Sequence, residues 1–164
     1  MKIVIADDHA MTRTGVIAAL KAMFPSADII ECCDAASVLQ AAKDKALDLA
    51  IVDLFMPGSD GFAFIKKLCK THPALPAIVL SASNNPKHIL KVIDLGVSGF
   101  IHKSSSFELM NKAINKVLNG GTYWPDIFAD SQQQDDQQID IDSPHNRDAL
   151  VDSLTTRQLD ILVC

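Results

Sequence analysis

Five short aliphatic and β-branched runs, Lys2–Ala6, Asp28–Cys32, Leu47–Asp53, Pro76–Ser81 and Gly99–His102, alternate with stretches of helical period near 10–23, 35–45, 60–71, 86–94 and 106–118. No other feature limits the fold as much. Strands separated by whole helices cannot pair as hairpins; they pair in parallel through crossovers, and the helices must then cover the sheet. The expected class is α/β, a doubly wound five-stranded parallel sheet with helices on both faces. Turn residues at Pro57-Gly58, Asp60-Gly61, His72-Pro73, Asn84-Asn85-Pro86 and Gly96 keep the connections short. The last helix opens on Ser105-Ser106-Phe107-Glu108, a capping-box pattern, and then places Met110, Ile114 and Val117 on one face.

Two of these runs end in acid. Ile3-Val4-Ile5-Ala6 stops on Asp7-Asp8, and Leu49-Ala50-Ile51-Val52 stops on Asp53. If the two strands lie side by side, three carboxylates meet at the carboxyl edge of the sheet, where open α/β sheets bind ligands. Such crowding is costly unless a cation neutralises it or one group protonates. An all-oxygen set suits Mg²⁺, with Mn²⁺ as the alternative, and Mg²⁺ characteristically shares its shell with a phosphate oxygen. Ser81, ending the fourth run, and Lys103, following the fifth, can meet the remaining phosphoryl oxygens, where transfer needs its charge stabilised. Taken singly, each of these residues is an ordinary surface, capping or core residue; their concurrence is what carries the reading.

Charge divides the chain. Residues 1–125 hold 13 basic and 11 acidic residues, a balance of +2, whereas 126–164 hold 2 and 9, a balance of −7. Around Asp130–Gln138 the helical pattern gives way to acidic and glutamine-rich sequence with nothing to bury, so 123–152 is expected to be a flexible linker after a domain at 1–122. Order is expected to return at 153–164, where Thr155 and Gln158 form a capping box ahead of an amphipathic stretch. A helix that short is marginal alone and implies the start of a second, truncated domain. No run approaches the roughly 18–20 apolar residues of a membrane span, and Met1–Ala6 meets acids too soon for a signal peptide, so a cytoplasmic protein is expected. Cys32, Cys33 and Cys69 read as small core or near-core residues, and His9, His88 and His102 as solvated or locally bonded rather than ligating.

The pair Asp7-Asp8, the string Asp53-Leu54-Phe55-Met56-Pro57 with Asp60-Gly61 behind it, Ser81-Ala82, and Gly99-Phe100-Ile101-His102-Lys103 resemble, in order and spacing, the receiver domain of two-component response regulators. Leu154-Thr155-Thr156-Arg157-Gln158 through Leu162 resembles the first helix of the helix-turn-helix domain in the NarL/LuxR (FixJ) branch. The resemblance implies a flavodoxin-like sheet of order 2-1-3-4-5. It also implies Asp53 as phosphoacceptor from a sensor histidine kinase. Mg²⁺ would be held by Asp8, Asp53 and the Phe55 backbone carbonyl, with Asp7 bound directly or through water. Lys103 would pair with the phosphoryl group, Ser81 would turn to it, and Phe100 would follow as the aromatic switch. The surface of the fourth helix, fifth strand and fifth helix would then recognise a second receiver or the output domain, and DNA would be bound only through the output domain.

Three positions depart from the commonest pattern: Ser81 stands for a frequent Thr, Phe100 lacks a phenolic hydroxyl, and Ser104 follows Lys103 where many receivers have Pro. Two rival readings remain. One is a stand-alone phosphorelay or protein-interaction module. The other is a phosphohydrolase resembling the haloacid dehalogenases, which needs a second acid two residues after the nucleophile; Phe55 occupies that place. A phosphate acceptor rather than a turnover enzyme is therefore expected.

Overall fold

Residues 1–125 are described by a computed structural model of the chain. The greater part of the expected linker (123–152) and the whole of the expected helix-turn-helix start (153–164) lie outside the described residues. In chain order the elements are β1 (Lys2–Ala6), α1 (Ala10–Met23), β2 (Asp28–Cys32), α2 (Ala35–Asp44), β3 (Leu49–Asp53), α3 (Gly61–Thr71), β4 (Ala77–Ser81), α4 (Pro86–Asp94), β5 (Gly99–His102) and α5 (Phe107–Leu118). All strand pairs are parallel, and the order is β2-β1-β3-β4-β5.

The central strands β3 and β4 are buried along their whole length, so their sequences read as unbroken aliphatic runs rather than as alternations. Their side chains still alternate in direction. Val4, Ala50, Val52 and Val79 pack with Val38, Phe64, Leu68 and Val92 of α2, α3 and α4. Ile3, Ile5, Ile51 and Leu80 pack with Leu20 of α1 and with Ile114 and Val117 of α5. Two cores thus sandwich one sheet, and burying each such aliphatic side chain contributes about 1.5–3 kcal/mol.

Four local differences from expectation have physical causes. β3 begins at Leu49 rather than Leu47: Asp48 donates its N–H to the Lys2 carbonyl at 2.8 Å, but the Lys2 N–H goes to the Asp48 carboxylate, at 2.6 Å, rather than to a backbone carbonyl. The α5 cap is Ser106, whose hydroxyl accepts the Leu109 N–H, so the Ser105/Glu108 capping box does not form. Cys33 is exposed, not core or near-core: β2 ends at Cys32, and Cys33 belongs to the turn into the Asp34 cap of α2. Order also runs past 122, since Tyr123 pairs with Gly99 on the free edge of β5, accepts the Phe100 N–H at 2.9 Å and donates its own N–H to Ser98.

Strand order reverses between β1 and β3. Their following helices leave to opposite faces of the sheet, α1 with one core and α3 with the other. This divergence opens the crevice in which a ligand can sit.

Candidate functional site: an acidic pocket at the strand ends

Register sets the pocket. Ala6 pairs with Val52, so Asp7 and Asp8 leave β1 beside Asp53 at the end of β3. Asp7 and Asp53 are almost completely buried, at 0% and 2% exposure, and Asp8 lies partly open at the mouth. Gly61 permits the close turn behind them: a Cβ there would stand 1.7 Å from the Leu54 carbonyl oxygen. Asp60 then caps α3 by accepting the N–H groups of Phe62 and Ala63.

Lys103 reaches in from the loop after β5. Its ammonium lies 2.7 Å from Asp53 Oδ2 and 2.8 Å from Asp7 Oδ2. The loop is anchored by the Lys103 N–H, which donates to the Ser81 carbonyl at 2.8 Å, and the Lys103–Ser104 peptide is trans. Burial pushes the Asp53 carboxyl above its ordinary value; hydrogen bonds from Lys103 and the Phe55 N–H oppose this, and the Asp7 charge adds to the rise. Burial alone would lower Lys103, yet the hydrogen bonds and charges of Asp53 and Asp7 outweigh it and raise its pKa.

Carboxylate oxygens of Asp7, Asp8 and Asp53, with a ring nitrogen of His9, all lie within 4.8 Å of one another. Two of the oxygens, Asp7 Oδ2 and Asp8 Oδ1, are buried without a well-directed hydrogen bond, although the Lys103 ammonium and the His9 ring stand against them. Underused buried oxygens converging on one point fit a hard divalent cation. His9 is an addition to the expected set. It is mostly exposed, and its Nδ1 lies 2.9 Å from Asp8 Oδ1, so it is locally bonded as expected while still standing in the cluster.

Ser81 is buried, and its Oγ accepts the Ser83 N–H at 3.0 Å. Phe100, 1% exposed, lies in the core between the sheet and α4. Phe55 sits half-exposed at the mouth, its N–H donated to Asp53 Oδ1 at 3.2 Å. A surface cavity of about 450 Å³, lined by Lys66, Cys69, Lys70, His72 and Asp94 among others, opens at the far end of the sheet and shares no residue with this pocket.

A doubly wound sheet of order 2-1-3-4-5, with three acids and a lysine at its switch point, is the architecture of a receiver domain. Residues 3–115 match the response regulator receiver domain, and the chain belongs to that family. Among relatives, it is 32% identical over 162 residues to the glycerol metabolism activator of Pseudomonas putida, covering 98% of this chain and 73% of that protein. It is also 32% identical over 124 residues to the oxygen regulatory protein NreC of Staphylococcus epidermidis, covering 75% of this chain and 57% of that one. The isolated receiver domain of RcsB from Salmonella enterica serovar Typhimurium, solved with the phosphomimetic BeF₃⁻, superposes with a TM-score of 0.71 at 28% identity, covering 77% of this chain and 94% of that one. The chain thus spans between 57% and 73% of the length of these two relatives, and it carries the receiver domain of a two-component response regulator. Among the described residues no helix is long and apolar enough to cross a membrane.

Proposed function

We propose that in the cytoplasm Asp53 accepts a phosphoryl group from a phosphohistidine of a sensor histidine kinase, and that this switches a DNA-binding output domain of the NarL/LuxR type. The observation that carries the reading is the placement of Asp53, 2% exposed, beside Asp7 and Asp8 with Lys103 at 2.7 Å. An Asp53 carboxylate oxygen bonds to phosphorus as the histidine N–P bond breaks, and the freed imidazole nitrogen takes a proton. Asp7, Asp8, Asp53 and the Phe55 carbonyl are the groups to hold Mg²⁺, whose chemistry when bound is to neutralise charge on the transferring oxygens. Lys103 supplies the other counter-charge, and Ser81 gives up Ser83 to donate its hydroxyl to the phosphoryl group.

The chain acts as a stoichiometric acceptor. Its route outward runs through β4 and β5 to a face where α4 exposes Leu90 and Ile93 and α5 exposes Phe107 and Leu109. That face is the one to meet a second receiver. A domain boundary just past Trp124, a linker over the rest of 123–152 and the output start at 153–164 are proposed with it, supported by the packing of Tyr123 and Trp124 on the domain and by the alignment with the Pseudomonas putida activator over 162 residues.

Incubation with Mg²⁺ and acetyl phosphate, read by intact mass and sizing, tests the proposal. Wild type should gain one phosphoryl group, and Asp53→Asn none. Uptake retained in Asp53→Asn would remove the nucleophile assignment. Gel shifts test the output: residues 1–164 should not bind DNA specifically, and a longer chain should.

A further inference from the structure

Above the acids, three rings close into a triangle. Phe55 meets His88 at 5.3 Å and Phe62 at 6.3 Å between centroids, and Phe62 meets His88 at 5.6 Å, all edge-on. They come from three places: the loop after β3, the first turn of α3 and the first turn of α4. Lys91, one turn beyond His88, holds its ammonium 3.8 Å over the Phe62 ring, which fixes the outer side of the triangle. His88 is the corner that also faces the other way. Its Nδ1 lies 2.9 Å from Ser83 Oγ, and Ser83 in turn donates its N–H to Ser81 Oγ. The Asn85 N–H, donated to Ser83 Oγ at 3.2 Å, leaves the hydroxyl hydrogen free to point at His88.

We infer that His88 is a positioning residue with two separable jobs: its ring props Phe55 across the mouth of the pocket, and its Nδ1 latches Ser83 in the arrangement that keeps Ser81 turned away from the phosphoryl site. The inference rests on the phosphoacceptor reading and deepens it. For Ser81 to reach a phosphoryl group it must leave the Ser83 N–H, and every contact that holds Ser83 adds to the cost. Once Ser83 moves, His88 loses its partner, so the first turn of α4 senses the event directly. The ring acts on the opposite step. In loss of phosphate, a water oxygen bonds to phosphorus as the P–Oδ bond breaks, returning Asp53 as carboxylate and releasing inorganic phosphate. A braced Phe55 narrows the approach of that water.

Because the jobs use different parts of the side chain, substitutions separate them. His88→Phe keeps a ring and loses the latch; His88→Gln keeps a hydrogen-bonding group and loses the ring; His88→Ala loses both. Two readouts are needed: beryllofluoride affinity with Mg²⁺, followed by fluorescence of the single tryptophan, Trp124, which packs against the core containing Phe100, and the first-order decay of the acyl phosphate. Removing a hydrogen bond of ordinary net strength from the resting state should tighten beryllofluoride binding about three- to tenfold in His88→Ala and His88→Phe. His88→Gln should bind as wild type does. Decay should quicken in His88→Ala and His88→Gln and stay at the wild-type rate in His88→Phe. Equal behaviour of all three variants, or both readouts moving together in step with melting temperature, would overturn the inference and leave His88 a packing residue. If wild type itself takes up neither beryllofluoride nor phosphate, the phosphoacceptor reading falls first, and the inference with it.

Discussion

Replacing Lys103 by Met isolates the electrostatics of the pocket. The ammonium is the positive charge shared by Asp7 and Asp53, both buried, at 2.8 and 2.7 Å. Removing one member of a buried ion pair strands the other, at a typical cost of about 3–5 kcal/mol. The pocket can limit that cost by taking up a proton. At pH 7, protonating a carboxyl whose ordinary pKa is near 3.9 costs about 4 kcal/mol, at about 1.36 kcal/mol per pH unit, and this caps the penalty. The variant should therefore lose about 3–4 kcal/mol at pH 7. With about 2.1 cal/mol/K of unfolding entropy per residue, the 125 described residues convert this to a melting temperature lower by roughly 11–15 °C.

The pH dependence follows with its sign. In wild type, Lys103 has a raised folded pKa, so its contribution is fully present below the unfolded value and is lost only as pH rises through the folded one, far above neutrality. Between pH 5 and 7 it is constant. In the variant the Asp53 carboxyl, which burial already raises in wild type, loses the Lys103 contacts that oppose the rise, so the folded state gains protons and stability as pH falls. At pH 5 the cap shrinks to roughly 1.5 kcal/mol. Thermal melts of both proteins, with chelator and at both pH values, should show the gap closing by about half or more, and millimolar Mg²⁺ should also narrow it. A gap that is the same at pH 5 and pH 7 would refute the reasoning, because it would mean that Lys103 stabilises by packing alone.

Phe55→Ala opens the mouth of the pocket and should shed acyl phosphate about fivefold faster, the rate change for roughly 1 kcal/mol of barrier; intact mass against time reads it. Gly61→Ala forces a Cβ to within 1.7 Å of the Leu54 carbonyl oxygen, in a segment pinned by the Leu54 N–H bond to Leu80. It should cost at least the 1–3 kcal/mol typical of overpacking, measured by urea melts. Asp8→Ala removes a mouth carboxylate without opening the core. Wild type should melt higher as Mg²⁺ is raised, by the RT ln(1 + [L]/Kd) relation, and Asp8→Ala should lose most of that gain.

The fold was legible because its central strands, β3 and β4, are buried on both faces. Leu49–Val52 and Ala77–Leu80 leave no polar position inside the run, and the acids and Ser81 that end them mark where burial stops. That Asp7, Asp8 and Asp53 stand at strand ends was legible for the same reason, whereas their meeting at one point depends on β1 and β3 lying side by side, which only the resemblance implied. What escaped was tertiary or depended on single-residue register. Cys33 carries the same chemistry as Cys32, and only the end of β2 separates core from surface. The triangle of Phe55, Phe62 and His88 draws on three elements distant in sequence, and nothing in the run Asn84–His88 marks its histidine as facing a ring. A register shift of two residues in α4, roughly 200° of rotation, would turn it to the opposite face of the helix.

Charge counting explains why the pocket needs more than its lysine. Three carboxylates and one ammonium leave two formal negative charges in a largely buried volume. A phosphoryl group on Asp53 replaces one negative charge with about 1.5–2, so phosphorylation deepens the deficit that burial already penalises at Asp53. Lys103 is fully charged at neutral pH and has no more to give. A divalent ion held at the converging oxygens would supply two positive charges, bringing the unphosphorylated pocket to balance and leaving the phosphorylated one short by about 0.5–1. Ser81 has one hydroxyl to offer that remainder, and it can do so only by leaving Ser83. Under the proposed phosphorylation, the charge imbalance at Asp53 would be the force that pulls on β4, and the contacts around Ser83 would set how far it must pull before the surface of α4 changes.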